Sequence, residues 1–439
     1  MDGDMTIETF LGRKRIEFDP PVRGDAITGD RYFSPDWMHK EWDRLWTKIW
    51  HIGAMVQEME EPGDWVRHDI VKESVIIVRQ DDGGFKAFYN ACRHRGNRLA
   101  LHETGGGETI TCSYHGWRWG IDGVLRYAQD ADDVVGGNPC GKAKLVEVPC
   151  ATWGGMVWFS FDPDVAPLAD WLAPLPEELK AYGLESWTRV LCVSVETKCN
   201  WKVIRDNFNE SYHLPTLHPE LDTFINDDHL DTIFEMYPNG HNRMVMKGGQ
   251  PSARDAALAA GVKGPLDAIL RGWDIEPDQF AGNAALARDA LAEAKKQLGP
   301  ARGFVHYEGM NPSELTDYYH YTLFPNVTFT VSADGYQMLR TEPHPTDPEK
   351  CIFDHWFIMP PVAGMTEVET PVGTLPFRLA DRERFAHGDQ TVGAVADQDL
   401  SVAVSQQQGL HSKGYTGGLL TGQEKRIQRF HELLNDIMA

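Results

Sequence analysis

The chain has 439 residues, enough for roughly two or three domains with buried cores. Its 42% apolar and 10% aromatic content is that of an ordinary globular protein, so neither a fibrous nor a disordered class is indicated. A formal net charge of -23 repels phosphate backbones, and no nucleic-acid partner is expected.

The N-terminal MDGDMTIETF is acidic and has no apolar core segment, which predicts no signal peptide. The longest apolar runs, such as Val75–Val78, are too short to span a bilayer. Seven cysteines scattered along a large chain do not make a disulfide framework. These features predict a cytoplasmic protein without a membrane partner. The first element opens at Ser34-Pro35, a cap followed by a first-turn proline. Met38, Trp42, Leu45, Trp46 and Ile49 then recur at helical spacing, a stripe read as core packing.

From about 64 to 161 the texture changes to short strands and turns. Asp64–Ile70, Ser74–Arg79, Phe85–Tyr89 and Trp153–Phe161 are β-branched or aromatic runs, and Asp82-Gly83-Gly84 and Asp122-Gly123 read as hairpin turns. The Pro-rich stretch Asp162–Pro176 reads as a domain boundary. A strand over 188–199 leads into a helix over Trp201–His213. Residues 252–300 are Ala-rich, and Leu286, Ala290, Leu291, Ala294 and Leu298 line one helical face that ends at Gly299-Pro300. Strands resume over Tyr318–Ser332, Tyr336–Glu342 and Cys351–Met359. Helices are predicted over Asp381–His387, Thr391–Gln408 and Gln423–Met438.

Two constellations carry chemistry. The first is Cys92-x-His94 followed by Cys112-x-x-His115. Two thiolates and two imidazoles suit a structural zinc. Each loop, however, carries one residue of each kind. That arrangement suits a [2Fe–2S] centre in which two cysteines hold one iron and two histidines the other. Gly96, Gly116 and Gly120 allow tight loops around it. The strings Asn90–Gly96 (NACRHRG) and Cys112–Trp117 (CSYHGW) resemble the Rieske domain of aromatic-ring-hydroxylating oxygenases.

The second is His213-x4-His218, with Pro215 expected to break the helix between the two histidines. A carboxylate would complete a 2-His-1-carboxylate triad with open positions for oxygen. The resemblance extends to Glu210-x-x-His213-x4-His218 and to Asp397-Gln398-Asp399-Leu400. It implies His213, His218 and Asp399 as ligands of Fe(II), with Asp397 as the alternative carboxylate. It also implies that Glu210, where relatives commonly have Asp, links His213 to His115 of a neighbouring subunit, and that Asn207 and Phe208 border the iron. Tyr212 is read as packing.

The resemblance spans about 40–250 and 318–410. It implies an α+β chain: an all-β Rieske [2Fe–2S] domain and a helix-grip (START-like) catalytic domain with a twisted antiparallel sheet. The expected layout is an N-terminal helical segment over 1–50 packed on the catalytic domain, the Rieske domain over 51–165, and the catalytic domain over 166–439. Residues 252–300 form a helical insertion. The implied activity is O2-dependent hydroxylation of an aromatic or other apolar small molecule, with ring dihydroxylation preferred. Monooxygenation or demethylation at the same metal sites is the alternative. The chain would work as an α3 or α3β3 assembly. Gly136–Lys142 fits G-x4-G-K, but Ala143 replaces the required Ser or Thr, so no P-loop is expected. Gly105-Gly106-Gly107 lacks the G-x-G-x-x-G spacing and a following helix, so no flavin or nicotinamide domain is evident. Electrons are therefore expected from a separate flavin reductase, with or without a ferredoxin.

Overall fold

The computed structural model describes residues 21–439. Residues 1–20, including the acidic start and much of the expected N-terminal segment, lie outside the described residues. Contacts divide the rest into a smaller unit, Met38–Trp187, and a larger one made of residues 21–37 with Thr188–Ala439. Among the described residues no helix is long and apolar enough to cross a membrane.

The smaller unit is β-rich. The run Glu73–Arg79 is buried along its middle and sits centrally in a five-stranded sheet, between Trp65–Ile70 and Phe85–Tyr89. β-Branched side chains at Val75, Ile76, Ile77 and Val78 fit such a doubly covered strand. The expected strand Trp153–Phe161 is instead a hairpin. Cys150–Trp153 and Met156–Ser160 pair antiparallel about Gly154-Gly155, both glycines having positive φ. The Pro-rich stretch lies inside this unit and carries the helices Leu168–Leu172 and Leu175–Glu178. The opening helix Pro35–Glu41 runs into a wider π turn, Trp42–Trp46, with Trp42, Leu45, Trp46 and Ile49 buried.

The larger unit is built on a nine-stranded sheet. Its order is Ile225–Asn226, Asn242–Gly248, Tyr318–Leu323, Val327–Ser332, Gly335–Pro343, Cys351–Met359, Thr188–Thr197 and Glu383–Ala386, and Ile233–Met236 also pairs with Asn242–Gly248. All pairs are antiparallel except the last, where Glu383–Ala386 runs parallel to Thr188–Thr197. The sheet is thus mixed, and the helix expected over Asp381–His387 is an edge strand. Its charged sequence has no strand signal of its own, and the partner strand supplies the ladder. The expected strand Tyr318–Ser332 is two, turning at Phe324-Pro325-Asn326.

The helix Trp201–Asn207 is capped by Asn200, whose Oδ1 accepts from Lys202 N at 3.0 Å. It packs on the helix Ala394–Leu410 and the strand Gly335–Pro343. Helix Ala394–Leu410 buries Ala396, Asp399, Leu400, Ala403, Gln407 and Leu410, a single face at i, i+3, i+4 spacing. Gln407 Oε1 on that face accepts from Asn200 N at 3.0 Å, which locks the two helices together. The C-terminal helix Lys425–Met438 turns Ile427, Phe430, Leu434 and Met438 inward.

Within residues 252–300 the helix Ala287–Leu298 buries Ala287, Leu291 and Ala292. Leu286, expected on that face, precedes the helix and is exposed. Lys295 is buried beside these residues, and its Nζ donates to Leu315 O at 2.9 Å and Asp334 Oδ2 at 2.5 Å.

Candidate metal centres

Two loops of the smaller unit share one construction. Cys92 N donates to Asn97 O and Cys112 N to Trp117 O, both at 2.8 Å. Gly96 N and Gly116 N return to Cys92 O and Cys112 O at 2.8 and 3.0 Å. Gly96 and Gly116 sit at φ +76 and +67, a region costly for side-chain-bearing residues. Asn90 anchors the first loop from beneath. Its Nδ2 donates to Ser74 Oγ and Ala100 O, and its Oδ1 accepts from Leu99 N and Ala100 N.

Cys92 and Cys112 point into the core at 2% exposure, while His94 is exposed and His115 half-buried. The imidazole centroids are 4.5 Å apart at 72°, and His94 stacks on Trp117 at 4.6 Å. Burial pushes the Cys92 thiol up, with the Trp119 indole acting in the opposite direction. Trp119 Nε1 is buried beside the Cys92 sulfur with no oxygen acceptor, a donor suited to a sulfur atom.

A single zinc needs all four donors around one point. Among the described residues, the one group of three or more candidate ligand atoms within 4.8 Å of one another lies elsewhere. The four side chains here form an inner cysteine pair and an outer histidine pair, a donor set that fits a two-iron cluster.

That other group is His213, His218 and Asp399, in the larger unit. The helix expected to reach His213 stops at Asn207. Beyond it the Phe208 carbonyl accepts from His320 Nε2, and the Glu210 carboxylate accepts from the backbone N–H of Tyr212 and His213. The closeness of Glu210 to His213 therefore comes from this turn, not from a shared helix face. Pro215 sits in the first turn of the short helix Leu214–Leu217 and helps start it, where a helix break was expected. His213 and His218 flank that helix with ring centroids 5.2 Å apart.

Each imidazole has its outer nitrogen engaged. His213 Nδ1 lies 2.6 Å from Glu210 Oε1, and His218 Nδ1 lies 2.7 Å from Gln398 Oε1. Both acceptors hold the proton on Nδ1 and leave Nε2 turned toward Asp399, at 3.6 Å for His213 and 2.9 Å for His218. Asn207 Nδ2 donates to Asp399 Oδ1 at 2.9 Å and fixes that carboxylate. Two imidazole Nε2 atoms and one carboxylate oxygen, each oriented from behind, fit a facial-triad metal. Asp397 faces elsewhere: its carboxylate accepts from Thr391 Oγ1 at 2.6 Å and Val392 N at 3.1 Å, at the start of the helix.

Gln398 was not anticipated from the sequence. Its position beside the candidate carboxylate was the available signal, since a ligating histidine needs a partner for its second nitrogen. Tyr212, read as packing, is 52% exposed in the chain.

The three side chains line a cavity of about 590 Å³, together with Asn207, Phe208 and Glu210. Most of its wall is apolar, including Leu214, Phe224, Met244, Met246, Leu339 and Phe357. Among the described residues, no lysine or arginine lines it. Asp334 belongs to the wall and also accepts from Tyr307 Oη and from Lys295 of the insertion helix.

Residues 184–439 match the model of the ring-hydroxylating alpha subunit catalytic domain, more than half of the chain, and residues 49–136 match the Rieske [2Fe-2S] domain. The chain belongs to the ring-hydroxylating alpha-subunit family. As a Rieske-type alpha subunit it carries a [2Fe–2S] domain beside a mononuclear non-haem iron domain. It is 31% identical over 204 residues to the carnitine monooxygenase oxygenase subunit of Escherichia coli (strain K12), covering 45% of this chain and 54% of that protein. The chain thus spans about half the length of this curated relative.

Its fold is similar to the quaternary ammonium Rieske monooxygenase CntA in complex with L-carnitine. The TM-score is 0.65 and the identity 20%, over 97% of this chain and 100% of that one. Naphthalene 1,2-dioxygenase from Rhodococcus sp. is similar too, with a TM-score of 0.64 and 19% identity over 94% of each chain. The α+β architecture is therefore that of Rieske alpha subunits.

Proposed function

We propose that this chain is the terminal oxygenase component of a multicomponent Rieske system, hydroxylating an uncharged, largely apolar small molecule with O2. The carrying observation is the placement of His213, His218 and Asp399 in the wall of a mostly apolar cavity of about 590 Å³ that, among the described residues, holds no lysine or arginine. When bound, the cluster would supply single electrons and the iron a site for O2 activation.

In this reading Cys92, Cys112, His94 and His115 hold the cluster. His213, His218 and Asp399 hold the iron. Glu210 and Gln398 fix the two imidazoles, and Asn207 orients Asp399. Leu214, Phe224, Met244, Met246 and Phe357 exclude water and take up the hydrocarbon part of the substrate. Ring dihydroxylation is the preferred outcome. A second reading, monooxygenation of a quaternary amine, is favoured by the likeness to the carnitine monooxygenase subunit. Against it, a carnitine-like carboxylate would find no lysine or arginine in the cavity wall among the described residues.

Product analysis with isotopically labelled O2 tests the reading. The metal-loaded protein, supplied with a flavin reductase and ferredoxin, is offered naphthalene, biphenyl and carnitine. A ring diol with both oxygens labelled is expected. A singly labelled product moves the reaction to monooxygenation, and oxidation of carnitine alone sinks the apolar-substrate reading.

The working unit in this reading is a ring of three chains, α3 or α3β3, because a head-to-tail interface closes by cyclic symmetry. Glu210, held by His213 and two backbone N–H groups, would face His115 of the partner subunit. Glu210→Gln is expected to keep both metals, checked by iron analysis and by the spectrum of the reduced cluster, while turnover falls at least about tenfold. Unchanged turnover would remove the bridge.

A further inference from the structure

The cavity wall contains two histidines that the metal chemistry does not use. His320 and His355 lie on the strands Tyr318–Leu323 and Cys351–Met359, buried at 7% and 1% exposure. Burial, aided by Arg426, pushes His320 down to about 3, and burial pushes His355 down to about 4, so both are neutral near pH 7. A neutral imidazole has one donor and one acceptor, and its neighbours decide which is which.

His320 Nε2 faces the Phe208 carbonyl, which can only accept, so Nε2 carries the proton. Nδ1 is then an acceptor, and the Thr330 hydroxyl at 2.9 Å must donate to it. Thr330 Oγ1 has no hydrogen left and presents only lone pairs. His355 is ordered the same way. Nδ1 faces the Val392 carbonyl at 3.1 Å and carries the proton, which makes Nε2 an acceptor. The coordinates place Gln337 Oε1 3.0 Å from Nε2, but two acceptors cannot face each other, so the tautomer requires the amide to be turned with its NH2 toward the ring and its carbonyl oxygen away from it. Ser332 spends its hydroxyl hydrogen on Gly335 O at 2.9 Å.

Thr330 and Gln337 are direct cross-strand partners, and Ser332 lies two residues along from Thr330, so all three side chains share one sheet face. All three line the cavity. We propose that Thr330, Ser332 and Gln337 form a specificity patch of hydrogen-bond acceptors that selects ring substrates bearing a hydroxyl or other O–H or N–H donor. This rests on the apolar-cavity reading above and names the substrate class within it. An apolar molecule that lacks a donor leaves these acceptors without water and without a partner, and such a mismatch discriminates strongly.

Matched pairs test it on the metal-loaded protein, with binding followed by calorimetry: 2-naphthol against 2-methoxynaphthalene, and 4-phenylphenol against 4-methoxybiphenyl. Each phenol is expected to bind at least about tenfold tighter than its methyl ether. Thr330→Val, which keeps the shape, and Gln337→Leu should bring the ratio toward one, while Thr330→Ser, which keeps the hydroxyl, should preserve it. Ethers binding as tightly as phenols, or discrimination that survives in both Thr330→Val and Gln337→Leu, overturns the patch alone. If no compound of either pair binds, the apolar-ring reading falls and the patch falls with it.

Discussion

Replacing Asp399 by alanine is expected to abolish binding of the mononuclear iron while leaving the two irons of the [2Fe–2S] domain in place. The carboxylate is 3% exposed and lies 2.9 Å from His218 Nε2, and no other acid reaches that point among the described residues. Its loss leaves two imidazoles, too few to compete for Fe(II), and also strands the Asn207 amide that was bonded to it. Because outer-shell substitutions at metal sites already cost about 10- to 100-fold, loss of a direct ligand should lower turnover by at least about 100-fold. Iron analysis and the spectrum of the reduced cluster, measured on the same sample, separate the two metals. Asp397→Ala is the control. It removes the contacts to Thr391 and Val392 at the helix start, costing about 1 kcal/mol of stability, and should keep the iron. The opposite pattern, iron lost in Asp397→Ala and kept in Asp399→Ala, would exchange the roles assigned to the two acids.

The largest effect on stability is expected at Asp354. This residue is opposite Arg340 on the neighbouring strand and opposite Ser194 on the other side, and both charged partners are 2% exposed. Arg340 Nε and Nη2 both donate to Asp354 Oδ2, at 2.9 and 2.6 Å, and Ser194 Oγ donates to Oδ1. Asp354→Ala removes the carboxylate that both Arg340 Nε and Nη2 meet, while the ion pair of the buried guanidinium with Glu342 at 3.3 Å remains. Breaking one side of such a pair costs about 3–5 kcal/mol. A lowering of Tm by roughly 6–20 °C follows for a domain of this size. Replacing both partners, as in Arg340→Met with Asp354→Leu, removes the buried charge together with its lost carboxylate and should recover most of the loss. If the double variant is no more stable than Asp354→Ala, the loss of charge balance is not the cause.

The candidate metal ligands were the most legible in the sequence, because a ligand pattern joins residue type to local spacing. Cys92, His94, Cys112 and His115 lie on two short loops, and His213 and His218 flank one helical turn, so each set could be found within a few residues. Asp399 is far along the chain, and only the likeness of its neighbourhood to a known family pointed to it. The backbone between Asn207 and His213 was misread as helix. Its conformation depends on His320, which takes the Phe208 carbonyl from a strand more than a hundred residues away. Residues 383–386 were misread for a similar reason, since their strand exists only where Thr188–Thr197 offers a parallel edge. The acceptor patch escaped notice because the roles of Thr330 and Gln337 depend on which nitrogen of a distant imidazole holds a proton.

Lys295 ties helix Ala287–Leu298 to the wall of the cavity through Asp334. A substitution along that helix can therefore reshape what the cavity admits while His213, His218 and Asp399 stay as they are.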